Sequence, residues 1–273
     1  TIRLVKRIGL SKVVPLLRRF GLDIPPVQRN LTIALGSYGF TPLQIVTGYC
    51  AFANGGKLVE PVYIARIQDR YGRTVHRHRG GDCLLCHQEP KEVVVAPKDK
   101  NTPEQQPSLF GKRVLDPPTA YQVTSLLKVV ISHGTGRKAM ALGWPLAGKT
   151  GTTNDLRDAW FIGFSPALVA GVWIGFDDYS VLGHAETGAM AALPIWMDFM
   201  SAALKDQPKI DFPVPKGIQL EPVNAETGEF CSVDSKGMVM EAFKPGQSPL
   251  RSESSGSSSG GSAGKPSVVD GLY

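Results

Sequence analysis

At 273 residues, with 42% hydrophobic and 20% charged side chains, the chain has apolar content enough for the core of one large domain or two small ones. Its formal net charge of +6 is spread along the sequence, with one denser patch at Lys6, Arg7, Lys12, Arg18 and Arg19. With no recognition motif and no interleaved aromatics, that patch reads as a solvated face, which sets nucleic acid aside as a partner; no apolar run approaches the roughly 18 residues of a membrane-spanning helix.

The first stretch is helical. Ile2, Leu4, Val5 and Ile8 stripe a short helix that Gly9 ends, and Ser11 is expected to cap a second one carrying Val13, Val14, Leu17 and Phe20. Gly21 stops it. After the break at Pro25-Pro26, Thr41-Pro42-Leu43-Gln44 forms a capping box with proline in the first turn, and opens a helix through Phe52 that Asn54-Gly55-Gly56 ends. The run 57–64 reads as extended. Ile67-Gln68-Asp69 and Thr74-Val75-His76 flank Arg70-Tyr71-Gly72-Arg73 as a hairpin.

Residues 79–112 are turn-rich and read as an insertion. Asp116-Pro117-Pro118 starts the next helix, with Tyr121, Val123, Leu126, Leu127, Val130 and Ile131 at helical spacing before Gly134 and Gly136. The period then changes to strands at 146–152, 159–164 and 167–176, with Ser165-Pro166 turning between the last two. A helix over 191–204 is entered through Pro194. Prolines dominate the extension 206–247, which holds one expected hairpin around Ala225-Glu226-Thr227-Gly228. The Ser/Gly-rich tail 248–273 has too little apolar surface to order itself.

Four cysteines are present: Cys50, Cys83, Cys86 and Cys231. Cys83-Leu84-Leu85-Cys86-His87 has the C-x-x-C-H form of covalent haem attachment, without the helix of a haem pocket around it. A local disulfide or idle thiols, a metal site and haem all remain open. A zinc site would need two further ligands, for which His76 and His78 are the near candidates.

The chemistry is concentrated in Gly148-Lys149-Thr150-Gly151-Thr152-Thr153-Asn154-Asp155, which supports two incompatible readings. With the residues before it, Gly143 to Thr150 fits the phosphate-loop pattern G-x-x-x-x-G-K-[ST]. That loop needs a buried parallel strand before it and a helix directly after it. Here the upstream segment is too polar, Pro145 removes an amide donor, and Gly151-Thr152-Thr153-Asn154-Asp155 is a poor first helical turn. Read from Lys149 instead, Lys-Thr-Gly followed by two threonines belongs on a strand.

With Asp158-Ala159-Trp160-Phe161-Ile162-Gly163-Phe164 and Val172-Trp173-Ile174-Gly175-Phe176-Asp177 behind it, this motif closely resembles the transpeptidase domain of class A, bifunctional penicillin-binding proteins. Thr41-Pro42-Leu43-Gln44, Phe52-Ala53-Asn54-Gly55-Gly56 and Gly134-Thr135-Gly136-Arg137-Lys138-Ala139 resemble the same family in the same order, so the likeness covers roughly residues 1–245. The fold it implies is α+β: an antiparallel sheet carrying the Lys-Thr-Gly strand, packed with helices as in penicillin-binding transpeptidases and serine β-lactamases, and truncated on its N-terminal side. Residues 1–205 would be the C-terminal portion of that domain.

The activity implied is peptidoglycan cross-linking by a D,D-transpeptidase, in which a serine attacks a D-Ala-D-Ala amide to give an acyl-enzyme. The resemblance gives catalytic roles to Lys149 and Thr152, and substrate-binding roles to Thr150, Gly151, Thr152 and Thr153. The Thr150 and Thr152 hydroxyls would hold the substrate carboxylate, Lys149 would supply positive field, and the Thr152 amide would serve the oxyanion hole. Gly151 would leave room for substrate backbone along the strand edge. No metal or cofactor is implied. Partners would be peptidoglycan stem peptides, β-lactam antibiotics and other cell-wall synthesis proteins, at the periplasmic face of a bacterial inner membrane. In that oxidising compartment Cys83 and Cys86 could form a short disulfide.

The chain departs from the family pattern where the nucleophile is concerned. No Ser-x-Asn occurs, and the one Ser-x-x-Lys ahead of the Ser/Gly-rich tail, Ser125-Leu126-Leu127-Lys128, falls deep inside a helix instead of at its N-terminus. Thr1-Ile2-Arg3-Leu4 resembles the family stretch just after Ser-x-Asn. The expectation is therefore a C-terminal portion of a longer polypeptide. Serine, glycosyltransferase domain and membrane anchor would lie upstream, and the isolated chain would be inactive. A serine β-lactamase relative and a phosphate-loop-like nucleotide-binding protein are the alternatives.

Overall fold

The computed structural model describes residues 1–77 and 111–248. His78, Cys83, Cys86, His87, residues 79–110 of the insertion and residues 249–273 of the tail lie outside the described residues.

Gly9, at φ 90°, turns the chain between α1 (Ile2–Ile8) and α2 (Leu10–Arg19). The second helix does not start at Ser11 as the sequence suggested. The carbonyl of Gly9 already accepts from the amides of Lys12 and Val13, so Gly9 is the cap and Ser11 sits within the first turn. Two 3₁₀ segments, Pro26–Gln28 and Leu31–Leu35, lead to α3 (Pro42–Ala53). There the capping box is closed both ways: the Gln44 amide donates to Thr41 Oγ1 at 3.3 Å, and the Thr41 amide donates to Gln44 Oε1 at 2.9 Å.

Of the extended run expected over 57–64, only β1 (Lys57–Leu58) is a strand. Pro61 has no N–H to donate to a ladder, and the residues around it pair with nothing regular. The hairpin of β2 (Arg66–Gln68) and β3 (Thr74–Arg77) is present, with a register shift at Ile67/Gln68. Asp69 closes its turn, accepting from the amides of Tyr71 and Arg73 and from Arg73 Nε. β4 (Lys112–Arg113) pairs antiparallel with β1, so the end of the expected insertion belongs to the folded body.

Asp116 caps α4 (Pro117–Ser132), accepting from the Thr119 amide at 3.0 Å. A 3₁₀ segment, Arg137–Leu142, follows, which the sequence reading left unassigned. Then come β5 (Ala147–Thr152), β6 (Asp158–Phe164) and β7 (Val169–Gly175), an antiparallel sheet in the order β5-β6-β7. Ser165 makes the β6–β7 turn: its hydroxyl accepts from the amides of Ala167 and Leu168. A π-turn, Gly188–Ala192, occupies the start of the helix expected over 191–204 and runs into α5 (Leu193–Leu204).

Strand alternation decides which helix covers which face. Phe161 points to one face and stacks edge-on against Trp196 of α5 at 4.9 Å, within a core that also holds Leu193, Met200 and Leu204. Ile162 points to the other face. There α3 packs so closely that a Cβ on Gly171 would lie 2.6 Å from Val46. The final pair, β8 (Gln219–Asn224) and β9 (Met238–Phe243), spans a connection wider than the tight turn foreseen. That turn exists inside it, with Asn224 Oδ1 accepting from the Glu226 and Thr227 amides and a single bridge between Val223 and Phe230. Phe212 and Ala242 share a buried cluster with Tyr121, Ala147 and Phe164, so the extension packs on the same core.

Candidate functional site

The Lys149–Thr152 segment is the exposed outer margin of a sheet. β6 pairs with β5 on one side, with Lys149 opposite Ile162 and Gly151 opposite Trp160. Among the described residues no strand pairs with the other side. The phosphate-loop reading therefore lacks its geometry. Lys149 and Thr150 lie inside a strand, and the chain after Thr152 turns into another strand instead of a helix.

Alternation sorts the motif into two rows. Lys149 and Gly151 share the face of α3, while Thr150 and Thr152 share the face of α5. Lys149 is exposed, and its Nζ donates to the Thr150 carbonyl at 2.9 Å. The Thr150 and Thr135 hydroxyls lie 2.7 Å apart. The Gly188 amide donates to Thr152 Oγ1 at 3.0 Å, which leaves the Thr152 proton available to an acceptor. Thr153 Oγ1 accepts from the amides of Arg157 and Asp158, both at 2.9 Å, and so ties the β5–β6 turn.

That turn has a brace from the 176–187 loop. Leu182 donates its amide to the Leu156 carbonyl at 2.8 Å, and the Arg157 guanidinium donates to the Tyr179 carbonyl while lying over the Tyr179 ring. Leu156, Tyr179 and Ala185 all adopt positive φ, the only non-glycine residues to do so among those described. Such backbone persists where surrounding contacts hold it. Here those contacts fix the end of β5.

A cleft of about 580 Å³ opens on the Lys149 face. Its floor includes Trp160 and Trp173, its far wall Tyr38, Phe40 and Tyr49, and Lys149 to Thr153 form one rim. Burial raises the Tyr49 phenol above its ordinary value, so that group stays neutral. Asp158 also reaches the cleft and accepts from Trp173 Nε1 at 2.8 Å. Among the described residues no group of His, Cys, Asp and Glu side chains could hold a metal ion. Cys50 and Cys231 are free thiols away from each other in the sequence and outside this rim.

Ser125, the one serine among the described residues with a lysine three residues on, is only 7% exposed in the interior of α4. Lys128 is paired instead with Asp211 at 3.1 Å. Neither lines the cleft. The sequence motif thus located the strand and its rows of side chains. It gave no role to Thr135 or Gly188, because both reach β5 from distant elements; the Gly134-Thr135-Gly136 turn was visible as a pattern but not as a neighbour of Thr150.

Comparison with known proteins agrees with this geometry. The family model described as the penicillin binding protein transpeptidase domain matches residues 5–176. Penicillin-binding protein 1A of Rickettsia prowazekii is 40% identical over 245 residues, covering 89% of this chain and 30% of the relative. Its namesake in Pseudomonas aeruginosa is 35% identical over 274 residues, covering 91% of this chain and 33% of the relative. The crystal structure of penicillin-binding protein 1A from Haemophilus influenzae superposes with a TM-score of 0.73 at 31% identity, covering 92% of this chain and 38% of that one. The chain therefore spans about a third of the length of the curated relatives it matches.

Proposed function

The chain belongs to the penicillin-binding protein transpeptidase family, and on that premise we propose that β5 is the substrate strand of a serine-type D-Ala-D-Ala transpeptidase that cross-links peptidoglycan. The observation that carries the reading is the placement of one ammonium and two hydroxyls, from Lys149, Thr150 and Thr152, along a single strand margin beside an open cleft. A stem peptide adds to that margin as a further strand, and Gly151 leaves its backbone room to approach. A Cβ at Gly151 would already crowd Trp160 at 3.0 Å.

The substrate carboxylate sits against the Thr150 and Thr152 hydroxyls, in the positive field of Lys149. The Thr152 amide donates to the oxyanion as the serine attacks, and Thr153 holds the turn that keeps this amide in place. The serine oxygen bonds to the carbonyl carbon, the terminal D-Ala leaves with a proton, and the amine of a second stem peptide then displaces the serine. β-Lactams, which carry the same carboxylate and an acylating amide, take the same route and stop at the acyl-enzyme. No cofactor enters.

The nucleophile comes from residues outside this chain, since Ser125 is buried and the relatives are about three times longer. The same parent carries a glycosyltransferase and a membrane anchor that keeps the site at the periplasmic face, near other cell-wall synthesis proteins; no described helix of this chain is long and apolar enough to cross a membrane. Residues 1–205 are the transpeptidase portion interrupted at 79–112, residues 206–247 an extension and residues 248–273 a tail. The test is labelling with fluorescent penicillin: the full-length protein is labelled stoichiometrically, and the 273-residue chain is not. Labelling of the isolated chain, or none of the parent, counts against the assignment.

A further inference from the structure

Resting on that reading of β5, we propose that Thr135 is a positioning residue for the carboxylate site, donating its hydroxyl proton to Thr150 so that the Thr150 proton points at the substrate carboxylate. The two oxygens are 2.7 Å apart. Each hydroxyl has one proton to give. If Thr150 gave its own to Thr135, its oxygen would turn only lone pairs toward an anion; with Thr135 as donor, the Thr150 proton is free. Thr152 is arranged in the same sense, because a backbone amide from Gly188 already fills an acceptor position on its oxygen. Two hydroxyls on one row of β5 thus receive a hydrogen bond from behind, from two separate elements.

The turn that carries Thr135 is built to hold it still. The amides of Gly134 and Gly136 both donate to the Val130 carbonyl at the end of α4, at 3.1 Å each. A Cβ on Gly134 would lie 2.8 Å from Val130 Cα, and one on Gly136 would lie 2.9 Å from Ile131 Cδ1. With glycine required at 134, where a side chain would strike the helix backbone, the turn seats against the helix, and Thr135 is the side chain it presents. That side chain is exposed. Water would satisfy either hydroxyl there, so the contact adds little to stability. Its consequence is the direction of a proton.

The experiment measures acylation of the full-length protein by a fluorescent penicillin and by the methyl ester of the same compound, which lacks the carboxylate. Thr135→Val is expected to slow acylation by the acid about 5-fold, the worth of the one neutral hydrogen bond that holds the Thr150 hydroxyl in its orientation, and to leave the slower ester reaction unchanged. Thr135→Ser should restore the acid rate, and Thr135→Ala should repeat the valine result should valine crowd the turn. Equal acid rates in wild type and Thr135→Val overturn the proposal while leaving the function of β5 intact. So does a loss of equal size for acid and ester, which marks a general packing role. A wild-type protein that does not prefer the acid over its ester removes the carboxylate site itself.

Discussion

The Gly188 amide donates to Thr152 Oγ1 across a separation of 36 residues, and a Cβ on Gly188 would lie 2.2 Å from the Trp160 carbonyl oxygen and 2.5 Å from that of Gly151. The π-turn before α5 therefore rests directly on the paired backbones of β5 and β6. Gly188→Ala forces those strands apart. It should destabilise the fold by about 1–3 kcal/mol, as overpacking does in tight sites, and slow penicillin acylation of the full-length protein as well. Denaturant melts and labelling rates check both; unchanged stability would show that the π-turn yields freely.

Lys149 is exposed, and its ammonium donates to the neighbouring Thr150 carbonyl. Lys149→Ala should therefore leave stability within about 0.5 kcal/mol, as surface changes usually do. Acylation should fall by about 100-fold or more, the scale on which a preorganised transition-state group contributes. A stopped-flow labelling assay reads this, and a wild-type rate in the variant removes Lys149 from the mechanism.

Ser125 provides a control on the missing nucleophile. Ser125→Ala in the full-length protein should leave penicillin labelling stoichiometric, since the wild-type side chain is buried within α4 and Lys128 is held by Asp211. Loss of labelling with the fold retained, seen by mass spectrometry, would place the acylated serine on α4.

Asp116 predicts an acid transition in the packing of α4. Its carboxyl is pulled from 3.8 to about 2, first by the Thr119 hydroxyl and then by the Thr119 amide and the Lys244 ammonium, against desolvation that pushes the other way. A depressed carboxyl pKa stabilises the fold above the unfolded value and loses that contribution as pH falls from about 4 to about 2. The side chain is largely solvent-accessible, so the effect is modest. Asp116→Asn keeps a capping oxygen and should flatten the pH dependence of stability in that window; an identical slope in both proteins would remove Asp116 as its source.

Local chemistry is what the sequence exposed. The capping box at Thr41, the Asp116 cap, and the alternation through β5, β6 and β7 each depend on residues close together in the chain, and each was readable there. Ser11 misled because an N-cap preference is weaker than a glycine turn whose carbonyl starts the helix one residue earlier. The run 57–64 looked extended but found β4 as partner for only two residues. Lys149, Thr150 and Thr152 were named from their motif. The contacts from Thr135 and Gly188 were not, since neither follows from spacing: both arise where α4 and the approach to α5 pack against the sheet.

The most direct measurement is a crystal structure of the full-length protein acylated by a penicillin. The drug carboxylate should lie within about 3 Å of the Thr150 and Thr152 hydroxyls, with its acyl oxygen on the Thr152 amide and Lys149 alongside. A drug bound covalently whose carboxylate contacts neither threonine would contradict the role assigned to β5.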